Sequence, residues 1–173
     1  MVQDLSDPRR VEPDDAYEAD ERTLLETWLD FHRATLLLKC EGLSDEERKA
    51  RPVATSKLSL HGLVRHMAEV ERHWFRRAFL RDPDLPQIYD PDGKDLDFAP
   101  LDTADWDEDR ATWEHEIEQA KEAVRGRPLT DTGLRRGKPV SLRWMYNHMI
   151  EEYARHNGHA DLIREMVDGA VGW

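Results

Sequence analysis

Apolar residues recur at three- and four-residue spacing in four stretches of the chain, and polar or proline-bearing segments separate those stretches. This spacing places one apolar stripe along one side of an α-helix in each case. The first helix is expected from about Ala19 to Glu41, with Leu24, Leu25, Trp28, Leu29, Phe31, His32, Thr35, Leu36 and Leu38 as a broad apolar face and Gly42 as its stop. Ser44-Asp45-Glu46-Glu47 reads as a capping box for a short turn ending before Pro52. The second helix starts at Ser59 and runs to about Leu80, with Leu60, Leu63, Val64, Met67, Trp74, Phe75 and Ala78 as its stripe. The third spans about Asp105 to Arg125, and Gly126 and Pro128 end it. The fourth is capped by Ser141 and runs to Asp168, with Leu142, Trp144, Met145, Met149, Ala160, Leu162, Ile163, Met166 and Val167 as its stripe. Four such helices with little strand pattern predict an all-α fold, an antiparallel four-helix bundle.

The intervening segments are read by what they lack. Residues 1–18 are acidic and without period, which predicts a tail ahead of a single domain over 19–173. Residues 81–104 carry four prolines and many aspartates and no helical period, so they are expected to form a loop with fast hydrogen exchange or a cover for a site. The stretch between Gly126 and Ser141 reads as a turn-rich link.

The fourth helix contains a conflict. Glu152 and His156 project near the middle of its apolar stripe, one turn apart, with His148 and His159 beside them. A buried carboxylate without a partner costs several kcal/mol. Two arrangements relieve that cost: a buried hydrogen-bond network, or a metal ion. For an ion, a third ligand must come from another helix, and His66, on the flank of the second helix's stripe, is the residue chosen. Glu69 and His73 repeat the spacing but point away from the stripe, so they are read as surface. Glu71 falls within the stripe, as a group behind the ligands or half of a buried ion pair. A di-iron site is disfavoured because no Glu-x-x-His occurs. Two histidines and a glutamate suit a single divalent ion with open positions.

Composition narrows the function. With 37 acidic against 25 basic residues and a net charge of −12, the surface repels phosphate backbones and anionic membranes. No apolar run approaches a bilayer span, and the first 20 residues lack the apolar core of a secretory signal. A single cysteine, Cys40, excludes an internal disulfide and a cysteine-rich zinc site and is compatible with a cytoplasmic protein; beside Leu36 and Leu37 it reads as a core thiol. Asp90 to Asp97 lacks the glycine and glutamate positions of an EF-hand and reads as a solvated acidic loop. Arg135-Arg136-Gly137-Lys138 is the one basic cluster; it reads as a solvated turn, with attraction of an anionic substrate as the functional reading.

Two stretches carry a family resemblance. Leu63 to Trp74 (LVRHMAEVERHW) resembles the second-helix motif of the DinB-like superfamily, and Tyr146 to Arg164 (YNHMIEEYARHNGHADLIR) resembles its last-helix motif. The resemblance extends over nearly the whole chain from the first helix. It is strongest to the uncharacterised branch, and in ligand type to mycothiol-dependent maleylpyruvate isomerase. It implies a four-helix bundle of the DinB-like type with one divalent ion, zinc or nickel, held by His66, Glu152 and His156. Many members carry His at the position of Glu152 and Gln at that of His159, so His148, His159 and Glu71 are the candidates for a surrounding shell. The resemblance further implies a small-molecule substrate, a low-molecular-weight thiol cosubstrate, isomerase or thiol S-transferase chemistry, and homodimerisation through helix faces. A metal-dependent hydrolase and a non-catalytic, metal-stabilised binding protein are the alternatives.

Overall fold

A computed structural model describes residues 16–89, 97–98 and 101–171. The chain is mostly helical, with one two-stranded sheet among the described residues. Helix α1 is Glu21–Cys40, α2 Asp45–Lys49, α3 Leu60–Glu71, α4 Trp106–Val124 and α5 Leu142–Asp168. α3 continues without a break into a π-helical segment, Arg72–Phe79. Strands β1 (Thr132–Arg135) and β2 (Lys138–Ser141) form an antiparallel hairpin between α4 and α5.

Local chemistry sets the helix ends. Asp20 accepts hydrogen bonds from the amides of Arg22 and Thr23 at the start of α1. Both arms of the capping box are present at α2, between Ser44 and Glu47. Ser59, Asp105 and Ser141 cap α3, α4 and α5 in the same way. α1 packs chiefly along α5, and α3 along α4. Leu29, Leu36, Leu60, Leu63, Met67, Met145 and Met149 are fully buried between them.

Four side chains cross this core as a polar line. The Arg33 guanidinium donates to both Glu71 carboxylate oxygens, at 2.8 and 2.7 Å. The Tyr153 hydroxyl donates to Glu71 at 2.8 Å, and the Trp113 indole N–H donates to Tyr153 at 2.9 Å. The line therefore runs through α1, α3, α5 and α4. Burial opposes ionisation of Arg33, but the charge of and hydrogen bonds to Glu71 overcome it and raise its pKa. Burial, then the Glu71 charge, pushes the Tyr153 hydroxyl well above its usual range, so it stays a donor. Of the two roles open to Glu71, the structure shows the buried ion pair.

Several expectations are corrected. The link before α5 contains a hairpin, which its sequence hides: TGLR and KPVS have no alternation of apolar and polar residues. Gly133 explains where the hairpin lies, because a Cβ there would stand 2.4 Å from the Ala78 carbonyl oxygen. Only glycine lets β1 approach the π-helical backbone this closely. The second long helix is not uniformly α-helical beyond Glu71. Trp144, Leu162 and Met166, assigned to the inner stripe of the last helix, are 41%, 61% and 57% exposed. Leu162 stands about 100° round the helix from buried Ile163. The 1–18 tail lies almost wholly outside the described residues, as does the Asp90–Asp97 stretch apart from Asp97.

Candidate metal centre

α3 and α5 bring together the three residues selected from sequence. One donor atom each from His66, Glu152 and His156 lies within 4.8 Å of the others. The His66 and His156 ring centroids are 4.7 Å apart, and His156 Nε2 is 3.5 Å from the Glu152 carboxylate. His156 is buried, while His66 and Glu152 are half-buried. Glu152 therefore sits at the flank of the buried stripe rather than in its middle, beside fully buried Tyr153.

The surroundings assign each ring nitrogen a task. His66 Nδ1 is 2.6 Å from Asp97 Oδ2, so the carboxylate fixes that nitrogen as the donor and leaves Nε2 its lone pair. Asp97 is itself nine-tenths buried. Burial opposes its ionisation, but the hydrogen bond from and charge of His66 hold its carboxyl below the usual range. Arg65 donates to the Asp97 carbonyl at 3.2 Å, Phe98 stacks on His66 at 4.8 Å, and Arg51 donates to the Phe98 carbonyl at 2.7 Å. Residues 97–98 are thus pinned against α3.

His156 Nδ1 faces His159 Nδ1 at 3.4 Å, which leaves Nε2 directed towards Glu152. Burial, then the neighbouring His66, His159 and Arg155, pushes the His156 pKa down to about 3. Its imidazole is neutral at ordinary pH, the form that ligates a metal. His148 hydrogen-bonds Glu151 at 3.1 Å and approaches Glu152 at 3.4 Å. It also stacks on Trp144 at 4.9 Å and meets Trp74 edge-on at 4.6 Å. Glu71, in its pair with Arg33, belongs to the core line described above.

Sequence reasoning missed Asp97, Phe98 and Arg65. Asp97 is one of four aspartates between 90 and 97, and nothing in the pattern singles it out. It also misjudged Glu69, which is half-buried and accepts hydrogen bonds from the amides of Ile88 and Tyr89 at 2.5 and 2.6 Å. Its partner in spacing, His73, is exposed as expected.

The donor set, two imidazoles and one carboxylate from two helices, is of the type that holds a divalent ion with positions left open. Helices α3 and α5 carry both stretches of DinB-like resemblance, and the chain is a protein of the DinB-like superfamily. Within it, a family model described as mycothiol S-transferase matches residues 24–169, and the chain belongs to that family. No curated protein and no solved structure matches the chain. No described helix is long and apolar enough to cross a membrane.

Proposed function

We propose that the chain is a divalent-metal-dependent transferase that uses mycothiol or a similar low-molecular-weight thiol. The observation that carries this reading is the convergence of His66, Glu152 and His156 within 4.8 Å in a member of the mycothiol S-transferase family. The residues fit a metal: three donors of the right type, one neutral by its surroundings and one held in the ligating tautomer by a buried carboxylate. Zinc or nickel is the ion we favour, since both accept imidazole and carboxylate.

When bound, the ion would lower the pKa of a thiol and supply a thiolate at neutral pH. The chain's own residues prepare that event. Asp97 holds His66 with Nε2 towards Glu152 and His156, His159 steadies His156 from behind, and Phe98 covers one face of the His66 ring. The wider reading has four parts. Residues 19–173 form one domain. Its long helices pack as an antiparallel four-helix bundle of the DinB-like type, supported by the α1–α5 and α3–α4 packing. Two copies associate through helix faces, for which exposed Leu162 and Met166 on α5 are available. The protein works in the cytoplasm, without nucleic acid or membrane as a partner.

The test is an activity assay. The zinc- or nickel-loaded chain is incubated with mycothiol and a chloronitroarene electrophile, and chloride release is followed. Faster conjugation than in the metal-free control, lost in His156→Ala, is the expected outcome. Equal rates with and without the protein, for mycothiol, bacillithiol, glutathione and cysteine alike, would overturn the reading.

A further inference from the structure

The π-helical segment and the β1–β2 hairpin enclose a groove of about 290 Å³ with an unusual charge for this molecule. His73 and Arg77 line it from one side, and Arg135 and Arg136 from the other; among the described residues no carboxylate lines it. The chain carries 37 acidic residues against 25 basic ones, so an arginine finds a carboxylate easily. Arg22, Arg33, Arg48, Arg72, Arg143 and Arg164 all do so. Among the described residues, Arg77, Arg135 and Arg136 form no ion pair, although they converge on one groove.

Two further observations mark the groove as built. The Arg135 guanidinium lies over the rings of Trp74 and Trp144, at 4.9 and 5.6 Å from their centroids. A guanidinium stacked by its face keeps its edge N–H groups free, and that edge is the part that matches an oxyanion. Arg136 adopts φ +49° at the hairpin turn, a left-handed conformation that glycine or asparagine adopts at less cost. Such strain persists where the side chain serves a purpose that a glycine would not. Partial desolvation of the His73 ring, then the charges of Arg77, Arg135 and His148, lower its pKa, in keeping with a positive local potential.

We infer that this groove is an anion-binding subsite for a small molecule bearing a carboxylate or phosphate group, held by Arg77, Arg135 and Arg136. Its position links it to the donor trio. Trp74 and Trp144, beneath Arg135, both contact His148, whose Nε2 is 3.4 Å from Glu152. The tryptophan pair and then the His148 ring therefore lie between an anion on Arg135 and the candidate metal centre. As the anchor for the acidic group of a transferred substrate, the subsite rests on the transferase reading; as an anion site it does not.

The test uses the full chain as purified and again in excess chelator, so that direct anion–metal contact is excluded. Inorganic phosphate and succinate are titrated at constant ionic strength and read by calorimetry and by tryptophan fluorescence. Saturable one-to-one binding by either anion is expected, and the tighter of the two identifies the phosphate or carboxylate source. Arg77→Gln should weaken it at least tenfold. Arg136→Gly should also weaken it while raising the unfolding midpoint, because it removes a guanidinium and relieves the left-handed strain. Arg125→Gln, on a different groove, should leave binding unchanged. Non-saturating heats, or affinities in Arg77→Gln and Arg136→Gly equal to the parent, overturn the subsite. A separate titration of the metal-free chain with cobalt(II), followed by visible absorption, reports on the donor trio. Anion binding without cobalt binding upholds the subsite and sinks the transferase reading, and cobalt binding without anion binding overturns the subsite and leaves the donor trio standing.

Discussion

Asp97 decides which nitrogen of His66 is available to an ion. A carboxylate behind a ligating histidine fixes its tautomer and raises its basicity, and loss of such a partner lowers metal affinity about 10–100-fold. Asp97→Asn should therefore weaken zinc binding by about that factor, read by competition with a chromophoric chelator. His66→Ala and His156→Ala should abolish stoichiometric binding. Full affinity in all three variants would mean the ion sits elsewhere. At this scale the sequence was informative where a residue contradicted its neighbours. Glu152 and His156 stood out because they interrupt apolar periodicity, and His66 because it flanks a stripe. Asp97 could not stand out, since its role comes from a contact across 31 positions of chain and it resembles the aspartates around it.

The elements divide in the same way. The four long helices were readable to within about two residues at their starts, because caps and stripes are local: Asp20, Ser59, Asp105 and Ser141 each precede an apolar period. The π-helical segment and the hairpin were not readable. Their residues carry an α-compatible period or none, and their geometry depends on Gly133 meeting the Ala78 carbonyl. That contact yields a prediction. Gly133→Ala places a methyl group 2.4 Å from backbone that cannot swing aside, so the hairpin must lift. We expect about 1–3 kcal/mol lower stability by urea unfolding, as for other overpacked sites, with amide shifts concentrated in 72–79 and 132–141. A parent-like midpoint would show that the hairpin is not docked as described.

At the scale of the whole molecule, buried charge ties the helices together. Glu116 of α4 is fully buried and accepts hydrogen bonds from Arg72 and Arg76 of the π-helical segment at 2.6 and 3.0 Å. Burial opposes its ionisation, but those arginines outweigh it and hold its pKa below the usual glutamate range. A carboxylate with a depressed folded pKa contributes stability above the unfolded value, and the contribution is lost as pH falls through the folded one. The unfolding midpoint should therefore decline on acidification below the ordinary glutamate pKa of about 4.3. Glu116→Gln should cost about 2 kcal/mol at neutral pH and flatten that decline. An unchanged acid limb in the variant would remove Glu116 from the account.

The same scale holds the central claim, that two helices present one ion to a thiol. Charge and composition disfavoured nucleic acid and membranes as partners, the family resemblance implied a small-molecule substrate, and the donor trio together with the family points to a thiol. The most direct measurement is an absorption titration of the cobalt-substituted chain with mycothiol, bacillithiol, glutathione and cysteine in turn. A thiolate-to-cobalt charge-transfer band that saturates at one equivalent, tightest for a single thiol and absent in His156→Ala, is the predicted result. Cobalt that binds through His66, Glu152 and His156 yet gives no such band with any thiol would contradict the claim.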